Sequence, residues 1–226
     1  MDRALVIMAK EPSPGGTKTR LSPPLAAAEA AALYRCFLLD TLDLVRRLAS
    51  AQPVVAYAPE EARSFFQRWA PPGFVLLSQE GADLGERLDR VVGRCLERGH
   101  RQVVIVASDS PTIPLSYLEQ AFHELDDPAT DVVLGPCDDG GYYLVGLKQR
   151  SPALFRGMVM STATVLEETL ARAEQEGLRV ACLSPWYDVD TFDDLERLER
   201  ELRARPAHPA QHTRAYLVDG KRGTRS

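Results

Sequence analysis

The sequence predicts an α/β protein, a three-layer sandwich whose mostly parallel sheet is covered by helices on both faces. Three observations predict it. Strand and helix patterns alternate along almost the whole chain. Residues 3–10 form an apolar run of the kind buried on both faces of a parallel sheet, and Pro12, Pro14, Gly15 and Gly16 forbid its continuation. A second buried-strand pattern, residues 103–107, runs into Ser108, Asp109, Ser110 and Pro111. Both runs therefore deliver polar residues to one carboxyl edge, where open α/β sheets bind ligands.

The remaining elements follow in order. Residues 25–49 carry Leu33, Phe37, Leu38, Leu42 and Val45 at helical spacing and form the first crossover helix. Residues 53–58 read as a strand, 60–69 as a helix, 74–78 as a strand, and 83–98 as a helix stopped by Gly99. The next strand is 102–107 and the next helix 115–125. Residues 131–135 and 142–146 read as strands joined across Cys137-Asp138-Asp139-Gly140-Gly141, where Asp-Gly supplies the positive φ of a turn; this pair interrupts the βα alternation. Residues 161–175 form a helix with Ser161 or Thr164 as N-cap, the latter having Glu167 three residues on. A short strand, 178–183, precedes a final helix, 191–204, opened by Thr191 with Asp194 at the capping-box distance. One domain is expected over residues 1–204, and residues 205–226, without a clear period, form a tail of uncertain order.

Composition narrows the function classes. A chain of 226 residues, 45% of them hydrophobic, can bury a full core in one domain. A net charge of −5 leaves no surplus of Lys and Arg to neutralise many phosphates, which excludes a general nucleic-acid partner. No apolar stretch approaches membrane-spanning length, so no membrane partner and a cytoplasmic location are expected. Cys36, Cys95, Cys137 and Cys182 lack Cys-x-x-Cys spacing and read as small hydrophobes. The histidines are assigned no chemistry.

Chemistry concentrates at the carboxyl edge. Gly15 and Gly16 let backbone amides approach an anion, and Lys18 and Arg20 supply charge, which reads as a phosphate site on a small molecule. The spacing is not that of a Walker loop, and an ordinary loop with solvated cations is the bland alternative. Asp109 sits beyond a buried strand, while extended backbone through Asp188-Val189-Asp190 puts both carboxylates on one face with Val189 inward. Paired carboxylates need a counter-charge, which a hard cation such as Mg2+, or Mn2+, provides along with substrate phosphates. The duller roles are helix capping for Asp109 and Asp190. Asp139, Gly140, Gly141 and Tyr143 read either as a hairpin turn or as a wall of an acceptor pocket, and Asp83 either as a helix cap or as part of a base or ribose site. Lys18→Ala is expected to lower turnover while leaving the melting temperature nearly unchanged.

Six motifs in order carry a resemblance: Ala9-Lys10-x-Pro12-x-Pro14-Gly15-x-x-Lys18-Thr19-Arg20-Leu21, Asp83-Leu84-Gly85-x-Arg87, Ser108-Asp109-Ser110-Pro111, Gly135-Pro136-x-x-Asp139-Gly140-Gly141-Tyr142-Tyr143-Leu144, Ser161-Thr162 and Asp188-Val189-Asp190-Thr191. Together they resemble the bacterial transferases grouped as domain of unknown function 2064, within the nucleotide-diphospho-sugar transferase superfamily, from about Ala4 to Leu202. More distantly, the chain is similar to the phospholactate, phosphoenolpyruvate and molybdenum cofactor guanylyltransferases. The resemblance implies a Rossmann-like three-layer sandwich of glycosyltransferase-A type that holds a nucleotide and Mg2+ at its carboxyl edge. It implies that Lys18 and Arg20 contact phosphates and that Asp109, Asp188 and Asp190 hold the metal. On the matched motifs, Ala9, Lys10, Gly15, Gly16, Asp83 and Ser108 would complete the nucleotide side, and Asp139, Gly140, Gly141, Tyr143, Ser161 and Thr162 the acceptor side. The expected partners are a nucleoside triphosphate or nucleotide-sugar and a small-molecule acceptor. Many glycosyltransferases of this fold ligate metal through Asp-x-Asp after the middle strand, and Ser108-Asp109-Ser110 departs from that pattern. The departure favours nucleotidyl transfer with release of pyrophosphate over glycosyl transfer, with a non-catalytic nucleotide-binding module as the remaining alternative.

Overall fold

The computed structural model describes residues 1–160 and 162–220. Strand β1 (Arg3–Lys10) lies near the middle of a sheet that, among the described residues, has seven strands in the order β3-β2-β1-β4-β6-β5-β7. The others are β2 (Gln52–Ala58), β3 (Val75–Ser78), β4 (Gln102–Ala107), β5 (Val132–Pro136), β6 (Tyr142–Leu147) and β7 (Val180–Cys182). Pairing is parallel except for β6, which runs antiparallel to both β4 and β5. Because β6 is reversed, its first residues share an edge with the carboxyl ends of β1, β4 and β5: Met8 aligns with Ala107, Val106 with Leu144, and Pro136 with Tyr142.

The period-two burial of β1 divides the core. Leu5, Ile7 and Ala9 face one layer, beneath α1 (Ala27–Arg46), α2 (Arg63–Trp69) and α4 (Leu115–Asp126). Ala4 and Val6 face the other, where α3 (Leu84–Glu97) and α5 (Val165–Gln175) contribute Leu88, Val91, Val92 and Ala173. The expected α/β sandwich with a mostly parallel sheet is thus present. A third cluster joins Leu21, Leu33 and Phe37 to Tyr187 and Val189 and to Leu195, Leu198 and Leu202 of α6 (Phe192–Ala204).

Several boundaries differ from expectation for local reasons. Helix α1 begins at Ala27, where the Ala26 N–H donates to the Glu29 carboxylate at 2.8 Å. The expected helix over 60–69 divides into a 3-10 turn, Glu60–Ala62, and α2. Helix α5 starts at Val165 rather than 161, and Thr164 donates its hydroxyl to Glu168 instead of forming a box with Glu167. Ser161 lies outside the described residues.

The expectation for residues 205–226 needs the largest correction. Residues 211–219 form α7 (Gln211–Arg214) and a π-helical turn, Ala215–Asp219, whose Leu217 and Val218 enter the third cluster. The cause is side-chain capping from a distant element: buried Asp40 of α1 accepts the N–H groups of His212 and Thr213 at 2.9 and 2.8 Å. Residues 221–226 lie outside the described residues.

Candidate active site

The loop after β1 is short and internally bonded. Gly15 takes φ +74°, open only to residues that tolerate the left-handed region, and the Gly16 and Thr17 N–H groups turn back onto the Ser13 carbonyl at 3.0 and 3.3 Å. Those two amides are engaged within the loop, so here the glycines shape a turn. The loop ends in a 3-10 turn, Thr19–Leu21, whose fully buried Leu21 anchors it in the third cluster. Lys18 opens that turn with φ 50°, and its buried side chain projects across the sheet edge.

Two carboxylates meet it there, with a third beside them. Lys18 Nζ donates to Asp109 Oδ2 at 2.9 Å and to Asp190 Oδ1 at 2.7 Å, and Arg20 lies 3.5 Å from Asp190 Oδ2. Backbone pairing brings the acidic segments together. Trp186 bridges Cys137 in parallel just beyond β5, and the Val189 N–H donates to the Asp109 carbonyl at 3.0 Å. Val189 is fully buried, so Asp188 and Asp190 project from the opposite face, as extended alternation requires. Ligand atoms of Asp109, Asp188 and Asp190 lie within 4.8 Å of one another, and Asp109 Oδ1 is buried without a hydrogen-bond partner among the described residues. An orphaned buried carboxylate oxygen in such a cluster fits an oxygen-seeking divalent cation.

The electrostatics follow from burial and neighbours. Burial alone would lower the Lys18 ammonium, but Asp109 and Asp190 outweigh it and hold the group above its ordinary value, so Lys18 is charged. Burial alone would raise Asp190, and Lys18 instead holds it below the ordinary carboxylate value. Asp188 forms no ion pair among the described residues: burial, then the charges of Asp109, Asp190 and Asp139, outweigh the pull of Lys18 and push its pKa up to about 7.

Two cavities meet at this cluster. One, of about 340 Å3, lies on the loop side and is lined by Lys10, Gly16, Thr17, Lys18, Gln79 and Ser108. The other, of about 490 Å3, lies on the hairpin side, with apolar walls from Leu88, Ile105, Val145 and Met160 and a rim that includes Cys137, Asp139 and Asp188. Asp109 and Asp190 line both.

The other residues singled out by sequence fall into place unevenly. Asp83 caps α3, accepting the Glu86 N–H at 2.8 Å. Ser108 is buried and 2.7 Å from the Tyr34 hydroxyl, which also accepts the Lys10 N–H. The Ala9 carbonyl is occupied by Gln79 Nε2 at 3.0 Å. Asp139 accepts the Gly141 N–H at 2.9 Å, and Gly140, at φ +89°, is required because a Cβ there would overlap the Ala163 carbonyl. Tyr143 borders the hairpin-side cavity but is buried, with its hydroxyl tied to the Ser184 carbonyl at 3.0 Å, so a free tyrosine hydroxyl is not offered by this residue. Thr162 lines the same cavity.

Gln79 and Cys137 were not identified as site residues by sequence reasoning. Gln79 donates to the Ala9 and Ala56 carbonyls, cross-linking the ends of β1 and β2 at the cavity floor. Its position directly after β3, at the ligand edge, was a usable signal. Cys137 borders the acidic cluster, which its spacing from other cysteines conceals.

Comparison with known proteins shows the family and relatives of the fold. Residues 41–162 match the model of a family described as "Uncharacterized protein conserved in bacteria (DUF2064)". The fold is similar to a "putative nucleotide-diphospho-sugar transferase" from Desulfovibrio desulfuricans G20, with TM-score 0.86 and 32% identity over 96% of this chain and 97% of that one. It is also similar to CMP:2-keto-3-deoxy-manno-octonic acid synthetase complexed with CTP, with TM-score 0.58 and 15% identity over 91% of this chain and 100% of that one. A further likeness is to Rv0371c of Mycobacterium tuberculosis H37Rv, in its complex with manganese, with TM-score 0.51 and 18% identity over 88% of this chain and 98% of that one. No curated protein sequence matches the chain.

Proposed function

The chain belongs to the DUF2064 family of uncharacterized proteins conserved in bacteria, and from that premise we propose that it is a divalent-cation-dependent nucleotidyltransferase. It would move a nucleoside monophosphate from a nucleoside triphosphate to a small phosphorylated or acidic acceptor and release pyrophosphate. The observation that carries this reading is the placement of Asp109 and Asp190 on the shared wall of two cavities, where groups from two bound molecules can meet.

In this reading the loop-side cavity receives the donor, with Lys10, Gly16 and Ser108 around it, and the hairpin-side cavity receives the acceptor. Asp109, Asp188 and Asp190 would hold Mg2+ or Mn2+, which when bound offsets charge on the donor phosphates. The buried Lys18 ammonium exchanges carboxylate contacts for phosphate oxygens as the donor enters, and the largely exposed Arg20, which lines the hairpin side and pairs with Asp190 on the shared wall, would reach across that wall to the departing pyrophosphate. Both cations would then offset charge that develops in the transition state. An acceptor that is already anionic needs no side chain to remove its proton.

Glycosyl transfer from a nucleotide-sugar is the second reading, supported by the name of the 32%-identical structure. The products separate the two. Enzyme, Mg2+ or Mn2+, mixed triphosphates and nucleotide-sugars, and a panel of acceptors are incubated and the phosphorus species resolved. Pyrophosphate formed from a triphosphate is expected. A nucleoside diphosphate formed only from a nucleotide-sugar would replace nucleotidyl with glycosyl transfer.

A further inference from the structure

Charge compensation in the acidic cluster is lopsided. Lys18 neutralises Asp109 and Asp190, Arg20 adds to Asp190, and the neighbouring Asp138 pairs with Arg197 at 2.6 Å. Asp188 and Asp139 form no ion pair among the described residues. Among the described residues Asp139 accepts only the Gly141 N–H. Beside them stands the Cys137 thiol, 7% exposed as a residue and without a hydrogen bond among the described residues. Its Sγ and carboxylate oxygens of Asp139 and Asp188 all lie within 4.8 Å of one another.

We propose that Cys137, Asp139 and Asp188 form a second cation position, sharing Asp188 with the Asp109 side and suited to a borderline divalent ion such as Co2+ or Zn2+. The donor set sets the ion class. Carboxylates alone suit Mg2+, whereas a thiolate ligand selects softer ions. On binding, the Cys137 S–H bond breaks, the sulfur bonds the metal and the proton passes to solvent. Without a cation the thiol stays protonated, since burial and the adjacent carboxylates oppose its ionisation.

Backbone contacts fix the ligands before any ion arrives. The Cys137 N–H donates to the Gly141 carbonyl at 2.9 Å, the Asp138 N–H to the Trp186 carbonyl at 3.2 Å, and Val189 ties the Asp188 segment to Asp109. All three ligand residues line the hairpin-side cavity and none of them the loop-side one. The position therefore faces the acceptor. It would give an anionic acceptor a charge partner in a cavity whose one lining cation, among the described residues, is otherwise Arg20.

The inference rests on the acidic centre of the proposed function but not on its reaction class, and the test is spectroscopic. Co2+ alone is titrated into the full-length protein while thiolate-to-cobalt charge-transfer absorption is followed in the near ultraviolet. The band is expected in the natural protein and in Cys182→Ser, which removes the exposed cysteine. It should vanish in Cys137→Ser. In Asp139→Asn, at an exposed turn residue that keeps the fold if Cys137→Ser does not, it should need at least about tenfold more cobalt. No band in the natural protein, or a band unchanged in Cys137→Ser or in Asp139→Asn, overturns the proposal. Pyrophosphate formation in Mg2+ without a cobalt band would sink this inference and leave the transfer reading standing. A band without any transfer would do the reverse.

Discussion

Lys18 Nζ lies 2.7 Å from Asp190 Oδ1, and the same ammonium is 2.9 Å from Asp109, so one buried cation ties the end of β4 to the segment entering α6. Sequence alone leads to the expectation that Lys18→Ala spares stability, and this contact reverses it. The variant leaves two partly buried carboxylates facing each other, a loss of about 2–3 kcal/mol once their partial exposure is allowed for. In chelator, urea unfolding should show that loss, and millimolar Mn2+ should recover part of it. Turnover should fall as well. A midpoint unchanged in chelator would show that the ion pair contributes nothing to the fold.

Asp188 makes cation binding pH-dependent. Its carboxyl, pushed up to about 7 chiefly by burial, must lose its proton to act as a ligand. Affinity for Mn2+ should therefore fall about tenfold per pH unit below the pKa and level off above it. The sign for folding is opposite. An unfolded aspartate titrates near about 3.9, so between that value and about 7 the metal-free native state binds the extra proton. This group's contribution to metal-free stability rises as pH falls through that window. Calorimetric titration across pH, with Asp188→Asn as reference, checks both, and an Mn2+ affinity flat through the window would contradict them.

Asp89, with its carboxylate fully buried on α3, is held by Arg150 at 2.8 Å and by Arg156 at 2.6 Å. Burial alone would raise its pKa, but the two guanidiniums hold it below the ordinary value. Its contribution is complete above the unfolded carboxylate pKa and is lost as pH falls through the lower folded one. Asp89→Ala should cost about 3 kcal/mol, because the segment carrying both arginines is released from α3. The acid limb of a stability–pH curve should flatten in the same variant, as denaturant titrations at several pH values will show.

Leu217, in the π-helical turn, shares its cluster with Val189, which lies between two of the site aspartates. Leu217→Ala is expected to cost about 2–4 kcal/mol by leaving a cavity. It should also weaken Mn2+ binding, because the wall behind Val189 loosens. Thermal melting and Mn2+ titration on the same preparation test the coupling. Full cation affinity with a lowered melting temperature would separate this segment from the site.

What the sequence by itself determined is local. Burial of β1 and β4, the turn at Asp139-Gly140, the Thr191–Asp194 cap and the inward Val189 between outward aspartates are all set by neighbours within a few residues. Periodicity and turn chemistry act over that range, so they can be read from one chain. Only the tertiary structure decided that Lys18 sits on two carboxylates, that Cys137 stands beside Asp188, and that residues 211–219 are ordered. Each depends on a partner far along the chain: Lys18 on Asp109 and Asp190, Cys137 on the strand-like pairing with Trp186, and His212 and Thr213 on Asp40. A short helix such as α7 is unfavourable alone because nucleation fixes several residues for few hydrogen bonds. Asp40 and the third cluster supply the missing bonds and burial, and nothing in residues 205–220 themselves signals that they will.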